Sequence, residues 1–146
     1  MKELKVDAIK NGTVIDHIPA GKAMKVLSIL HPNTDDVVTL GMNFSGKSGK
    51  KDILKFENRE LKKEDVDRIA VIAPTATINI INDYKVVNKF KVEVPDKLEN
   101  LWECPNPNCV TKAEGKLTKF VVEDKSTIEI RCIYCERTFD VDELKI

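Results

Sequence analysis

Four cysteines, the only ones in the chain, fall as two pairs: Cys104-Pro-Asn-Pro-Asn-Cys109, then twenty-two residues, then Cys132-Ile-Tyr-Cys135. Each pair fits on one tight turn, and two such turns can converge on a single tetrahedral ion. Thiolates are soft ligands suited to zinc, and the turns leave backbone N–H groups free to hydrogen-bond the sulfurs. The alternative is two disulfides or four free thiols; paired cysteines in a chain of otherwise intracellular character favour the metal. Four thiolates leave no coordination position for water or substrate, so a single zinc held by Cys104, Cys109, Cys132 and Cys135 is expected to hold structure and do no chemistry.

That site bears on the domain count. A chain of 146 residues, 42% of them hydrophobic, can form one medium domain or two small ones. The last stretch, which carries the cysteines, is too short to offset its chain entropy by apolar burial alone, so metal and local fold explain each other. Two domains are expected, 1–95 and 96–146, with the boundary at Val92-Glu-Val-Pro95. Twenty-four basic and twenty-four acidic residues cancel, which removes any global field for nucleic acid or an anionic membrane. The N-terminus lacks an apolar leader and runs such as Ile69-Ala-Val-Ile-Ala73 are far too short to span a bilayer, so a soluble, cytoplasmic protein is expected.

Residues 4–9 alternate as a half-buried strand should, and residues 13–18 read as extended up to Pro19. Ala20, Ala23, Met24, Leu27 and Leu30 then fall on one face of an amphipathic helix that ends near Pro32. Residues 36–42 and 51–57 read as strands joined by a glycine-rich turn. A second helix is expected over 63–73, with Val66, Ile69, Ala70 and Ala73 inward and Glu64 and Asp65 at its positive end. Strands over 76–81 and 84–94 flank Asn82-Asp83. The order β-α-β-β-α-β with right-handed crossovers predicts an α+β fold: a ferredoxin-like sandwich with both helices on one sheet face. Leu98, Leu101 and Trp102 recur at i, i+3 and i+4 and suit either packing between domains or the start of a second core. Alternation over 116–123, 127–131 and 138–141 predicts a small antiparallel sheet around the metal.

Gly41-Met-Asn-Phe-Ser-Gly-Lys-Ser48 satisfies the P-loop pattern, but a P-loop must open into a helix whose N-terminal N–H groups hold phosphate. Here Gly49 and an alternating strand follow, so a hairpin is expected and not a nucleoside triphosphatase. His31 suits a helix C-terminus; His17, between a strand and a helix, could meet an anion. No nucleophile accompanies either histidine. Strand parity leaves Asp7, Ile9, Lys55, Thr77 and Asn79 on the sheet face away from the helices, a mixture that suits a nucleoside and equally a solvated face.

Val6-Asp-Ala-Ile-Lys-Asn-Gly-Thr-Val-Ile-Asp-His-Ile-Pro19, Lys51-Asp-Ile-Leu-Lys-Phe-Glu-Asn58, Ala73-Pro-Thr-Ala-Thr-Ile-Asn79 and Asp83-Tyr-Lys-Val-Val-Asn-Lys89, with both cysteine turns, resemble the regulatory chains of aspartate carbamoyltransferase over nearly the whole length. The resemblance implies a non-catalytic subunit of pyrimidine biosynthesis. Its N-terminal allosteric domain binds CTP or ATP and pairs with a second copy; its zinc domain docks on the catalytic chain. It implies that Val6, Asp7, Ala8 and Ile9, with Tyr84 and Val86, surround the base. Asp16 and Lys55 would lie near the ribose, His17 and Lys89 near the triphosphate, and Asn79 close by. Lys10 and Lys51 match positions beside a second nucleotide in some members, and Asp7 stands where a glutamate is common. Asn106, Asn108 and Glu136 would contact the catalytic chain, or hydrogen-bond the thiolates, or both. The competing reading, a zinc-ribbon nucleic-acid module, calls for a basic stripe; the metal segment instead carries Glu103, Glu114, Glu123, Asp124, Glu129, Glu136, Asp140, Asp142 and Glu143.

Overall fold

The structure, a computed structural model, describes residues 8–47, 49–100 and 102–144. Most of the strand expected over 4–9, with Val6 and Asp7, lies outside the described residues, as does Leu101. The chain divides into two compact units, Met1–Glu93 and Val94–Ile146.

In the first unit β1 (Gly12–Pro19), α1 (Ala23–Leu30), β2 (Val38–Gly46), β3 (Gly49–Glu57), α2 (Lys63–Ile72), β4 (Thr77–Asn82) and β5 (Lys85–Lys91) follow in order. Their sheet runs β2-β3-β1-β4-β5, antiparallel throughout, which is the ferredoxin-like arrangement with one added edge strand. The alternation of β3 makes its faces: Leu54 and Phe56 are fully buried while Ile53, Lys55 and Glu57 are half-buried. Ile15 pairs with both Leu54 and Ile78, so one apolar row crosses three strands beneath α1 and α2, which pack on each other.

Two local devices fix α1. No side chain of its own caps its start; instead the fully buried Asp52 of β3 accepts the Gly21 N–H at 2.9 Å and the Ala23 N–H at 3.2 Å. A carboxylate at a helix N-terminus suits the dipole and the orphan donors there. At the other end Arg59 donates from Nη2 to the Leu30 carbonyl at 2.6 Å, with its guanidinium 5.2 Å from the Phe56 ring centre. The buried arc of α1 differs from the expected one. Ala23, Val26, Ile29 and Leu30 point inward and Met24 is exposed, because α1 must satisfy both α2 and β3. α1 also begins three residues later than expected, where Asp52 takes its first donors.

β4 and β5 meet in a two-residue turn at Asp83-Tyr84, one residue beyond the expected Asn82-Asp83, with both residues at positive φ (51° and 64°). Positive φ at both positions gives the turn twist that matches paired strands.

In the second unit β6 (Lys97–Glu99), β7 (Lys119–Asp124), β8 (Glu129–Cys132) and β9 (Thr138–Asp140) form a sheet in chain order, with a short helix α3 (Val110–Ala113) after the first cysteine pair. Leu98, expected either to pack between domains or to begin a second core, is on β6 opposite Phe120. Leu98, Phe120, Ile130 and Phe139 make the core of this small sheet.

Candidate functional site

The two cysteine turns converge. The four sulfurs lie within 4.8 Å of one another, with Cys104–Cys135 at 3.7 Å and Cys109–Cys132 at 3.8 Å. Sulfurs about 2.3 Å from a tetrahedral zinc stand about 3.8 Å apart, whereas a disulfide needs about 2.05 Å. The donor set therefore fits one structural zinc, with ligands supplied before α3 and at the end of β8. Neighbouring groups prepare the sulfurs. Burial alone would raise the Cys109 thiol, but the Thr111 hydroxyl, donating at 3.1 Å, and the Thr111 N–H outweigh it and bring it down to about 7. Burial likewise opposes ionisation of Cys135, and the Arg137 N–H and the Asn106 side chain lower it nonetheless. Cys104 and Cys132 are raised, chiefly by burial and also by the adjoining sulfurs, since four thiolates without a cation repel one another. Asn106 is buried, and its Oδ1 accepts the Asn108 N–H at 3.0 Å, whereas Asn108 and Glu136 are exposed beside the turns.

The first unit presents a sheet face away from its helices. Register places Lys55, Val14, Asn79 and Lys89 in one row across β3, β1, β4 and β5, and Asp16, Thr77 and Lys91 in the next. Asn79 donates from Nδ2 to the Val14 carbonyl at 3.3 Å. At one end of these rows, residues 8–11 lie beside the β4–β5 turn: the Tyr84 N–H donates to the Lys10 carbonyl at 2.9 Å and the Asp83 N–H to Asn11 Oδ1 at 3.1 Å. There Tyr84 and Val86 are exposed, Ala8 is exposed and Ile9 is buried, which removes Ile9 from the open positions that strand parity assigned it.

At the other end β1 carries a bulge between Ile15 and Ile18, where His17 sits at φ 57° with its carbonyl bonded by the Thr75 hydroxyl at 2.9 Å. The bulge lets Ile15 and Ile18 both turn inward while His17 turns out, its Nδ1 3.1 Å from Thr77 Oγ1 and 3.8 Å from Asp16. Lys51 pairs with Asp16 at 2.9 Å. Burial works against ionisation of Asp16, yet the Lys51 ammonium and the His17 N–H hold its carboxyl below the usual range. A cleft of about 730 Å³ opens here, bordered by His17, Lys51, Thr77 and Lys91 and by Lys47 and Lys50 of the β2–β3 hairpin. The glycine-rich turn before β3 is thus a hairpin, as expected from the absence of a following helix.

Strand parity put Lys55, Thr77 and Asn79 on this face, while Lys89 came only from the family resemblance; the placing of Thr77 and Lys91 beside His17, and the role of Asp52, were missed. Asp52 shares the strand phase of Leu54 and Phe56, and an acid on an apolar phase is the signal that could have found it.

Comparison with known proteins fits this division. Residues 4–93 match the family model described as the aspartate carbamoyltransferase regulatory chain, allosteric domain, and residues 96–145 match that of its metal binding domain. Curated regulatory chains of the same enzyme are similar throughout. That of Pyrococcus abyssi is 55% identical over 148 residues, covering 99% of this chain and 97% of the relative; that of Pyrococcus furiosus is 53% identical with the same coverage. That of Methanococcus vannielii is 55% identical over 136 residues, 92% of each chain.

Proposed function

The chain belongs to the family of aspartate carbamoyltransferase regulatory chains, and on that premise we propose that it binds nucleoside triphosphates, CTP or ATP, on the open face of its first unit and passes the binding to a separate catalytic chain docked on its zinc-bearing unit. The observation that carries this reading is the cationic character of one face in a chain of formal charge +0: Lys55 and Lys89 in one row, with His17, Lys51 and Lys91 beside the next. A base set against Ala8, Ile9, Tyr84 and Val86 would place its ribose over Val14 between Lys55 and Asn79. The phosphates would then run along β1 toward Lys89 and His17. Val6 and Asp7, outside the described residues, complete the base end in this reading. Lysine point charges hold phosphate without demanding one geometry, and the bulge aims His17 at the same anion.

The exposed Val87 and Phe90 on edge strand β5 support pairing of two copies through this unit. The exposed Val110, Leu117 and Ile133, with Asn108 and Glu136, support docking of the metal-bearing unit on the catalytic chain. Such a subunit, with four reduced metal-ligating thiols, belongs in the cytoplasm. Calorimetry of the intact chain with CTP and ATP tests the reading: saturable binding of at least one is expected, and no heat from either at millimolar concentration would reject it.

A further inference from the structure

The cleft at the β2–β3 hairpin holds more positive charge than the nucleotide site expected from sequence requires. Of that site only His17 borders it; Lys55, Asn79, Tyr84, Val86 and Lys89 lie elsewhere on the sheet. Its remaining cations are Lys47, Lys50, Lys51 and Lys91. Lys51 is neutralised by Asp16. Lys47, Lys50 and Lys91 enter no ion pair among the described residues. Three exposed ammonium groups outside any ion pair and an imidazole border about 730 Å³, a local positive field that favours entry of an anion. Ile18, Pro19 and Ala20 give the cleft an apolar part and no carboxylate lines it, so the ligand class its cations select is a polyanion.

Position narrows the class. The cleft lies beyond the phosphate end of the proposed nucleotide path, past Thr77 and Lys91 on the same face. The hairpin that carries Lys47 and Lys50 pairs Gly46 with Gly49 and Ser45 with Lys50, so Lys47 directly follows β2 and Lys50 stands at the start of β3. We propose that Lys47 and Lys50, with Lys91, receive the terminal phosphates of a bound nucleotide, so that this hairpin reads the length of the phosphate tail. A nucleoside monophosphate stops short of it. This inference rests on the nucleotide reading above, and its test separates the two.

Binding of CTP, CMP and inorganic tripolyphosphate is measured by calorimetry on the intact wild-type chain and on the double variant Lys47→Ala/Lys50→Ala. Both residues are exposed, Lys47 in the turn and Lys50 at the start of β3, and a melting curve confirms that the variant folds. The variant is expected to bind CTP at least about tenfold more weakly and CMP to within about twofold of wild type. Tripolyphosphate should bind the wild type and not the variant. Equal CTP affinity in both proteins overturns the hairpin's role while leaving nucleotide binding intact. If the wild type binds neither nucleotide, the reading of function fails first. The cleft is then upheld as a polyphosphate site only by tripolyphosphate binding that the double variant loses, and overturned by its absence.

Discussion

Single side chains whose partners are backbone N–H groups or sulfur atoms account for much of the local geometry. Thr111 is buried with its hydroxyl on the Cys109 sulfur. Thr111→Val keeps the shape and removes the donor, so zinc affinity in a chelator competition should fall several-fold, with Thr111→Ser close to wild type. Asp52 accepts from Gly21 and Ala23 and, at 3.0 Å, from the Asn43 N–H at the β2 bulge. Asp52→Ala removes the acceptor of three backbone donors, of which that of Ala23 is buried, and should cost about 2 kcal/mol in a denaturant melt. Asp16 illustrates the sign of a pH effect. Its folded carboxyl ionises below its ordinary value, so it contributes stability that is present above that value and lost as pH falls through the lower folded one. Lys51→Met removes the ammonium, and carboxyl NMR titration should show the Asp16 pKa rise. At this scale the sequence was legible where chemistry is local, as in the cysteine turns. It was not where a partner comes from afar, as with Asp52, 29 residues from Ala23.

Elements followed the hydrophobic period wherever one partner decided burial, and departed from it where two competed. β3 alternates against a single helix layer, and the inward placing of Leu54 and Phe56 was readable directly. α1 lies against α2 and β3 together, so Met24 turned out and Val26 and Ile29 turned in. β6 was unreadable as a strand because three residues show no period, and only pairing with β7 makes it one. The His17 bulge had no glycine to announce it; its conformation is held by Thr75 and by the pairings on either side. At the start of β1, Gly12 is needed twice over: its φ is 139°, and a Cβ there would stand 2.0 Å from the Phe56 carbonyl oxygen. Gly12→Ala should therefore destabilise the first unit by about 2 kcal/mol or more in a thermal melt, while zinc content stays unchanged.

At the scale of the molecule, two compact units with different sources of stability divide the work. The first has a continuous apolar layer between sheet and helices; the second has a short sheet and a metal site whose ligands come from separate turns. Removing the metal from the second should unfold it and leave the first intact, and hydrogen exchange should then show protection lost over residues 102–140 and retained in β1, β3 and β4. The order of elements was legible in the sequence because periodicity and turn signals are additive along a chain. The cleft was not, since it gathers Lys47, His17 and Lys91 from a hairpin and two strands that are distant in sequence. The central claim is that nucleotide binding in one unit governs a catalytic partner held through the metal-bearing other. It is tested by combining this chain with an aspartate carbamoyltransferase catalytic chain and recording the aspartate saturation curve with and without CTP and ATP, before and after complete zinc removal. The account predicts that nucleotide shifts the curve of the zinc-loaded assembly, and that removal of zinc abolishes the shift while catalysis persists. A curve indifferent to nucleotide when zinc is bound, or a response that survives its complete loss, would contradict it.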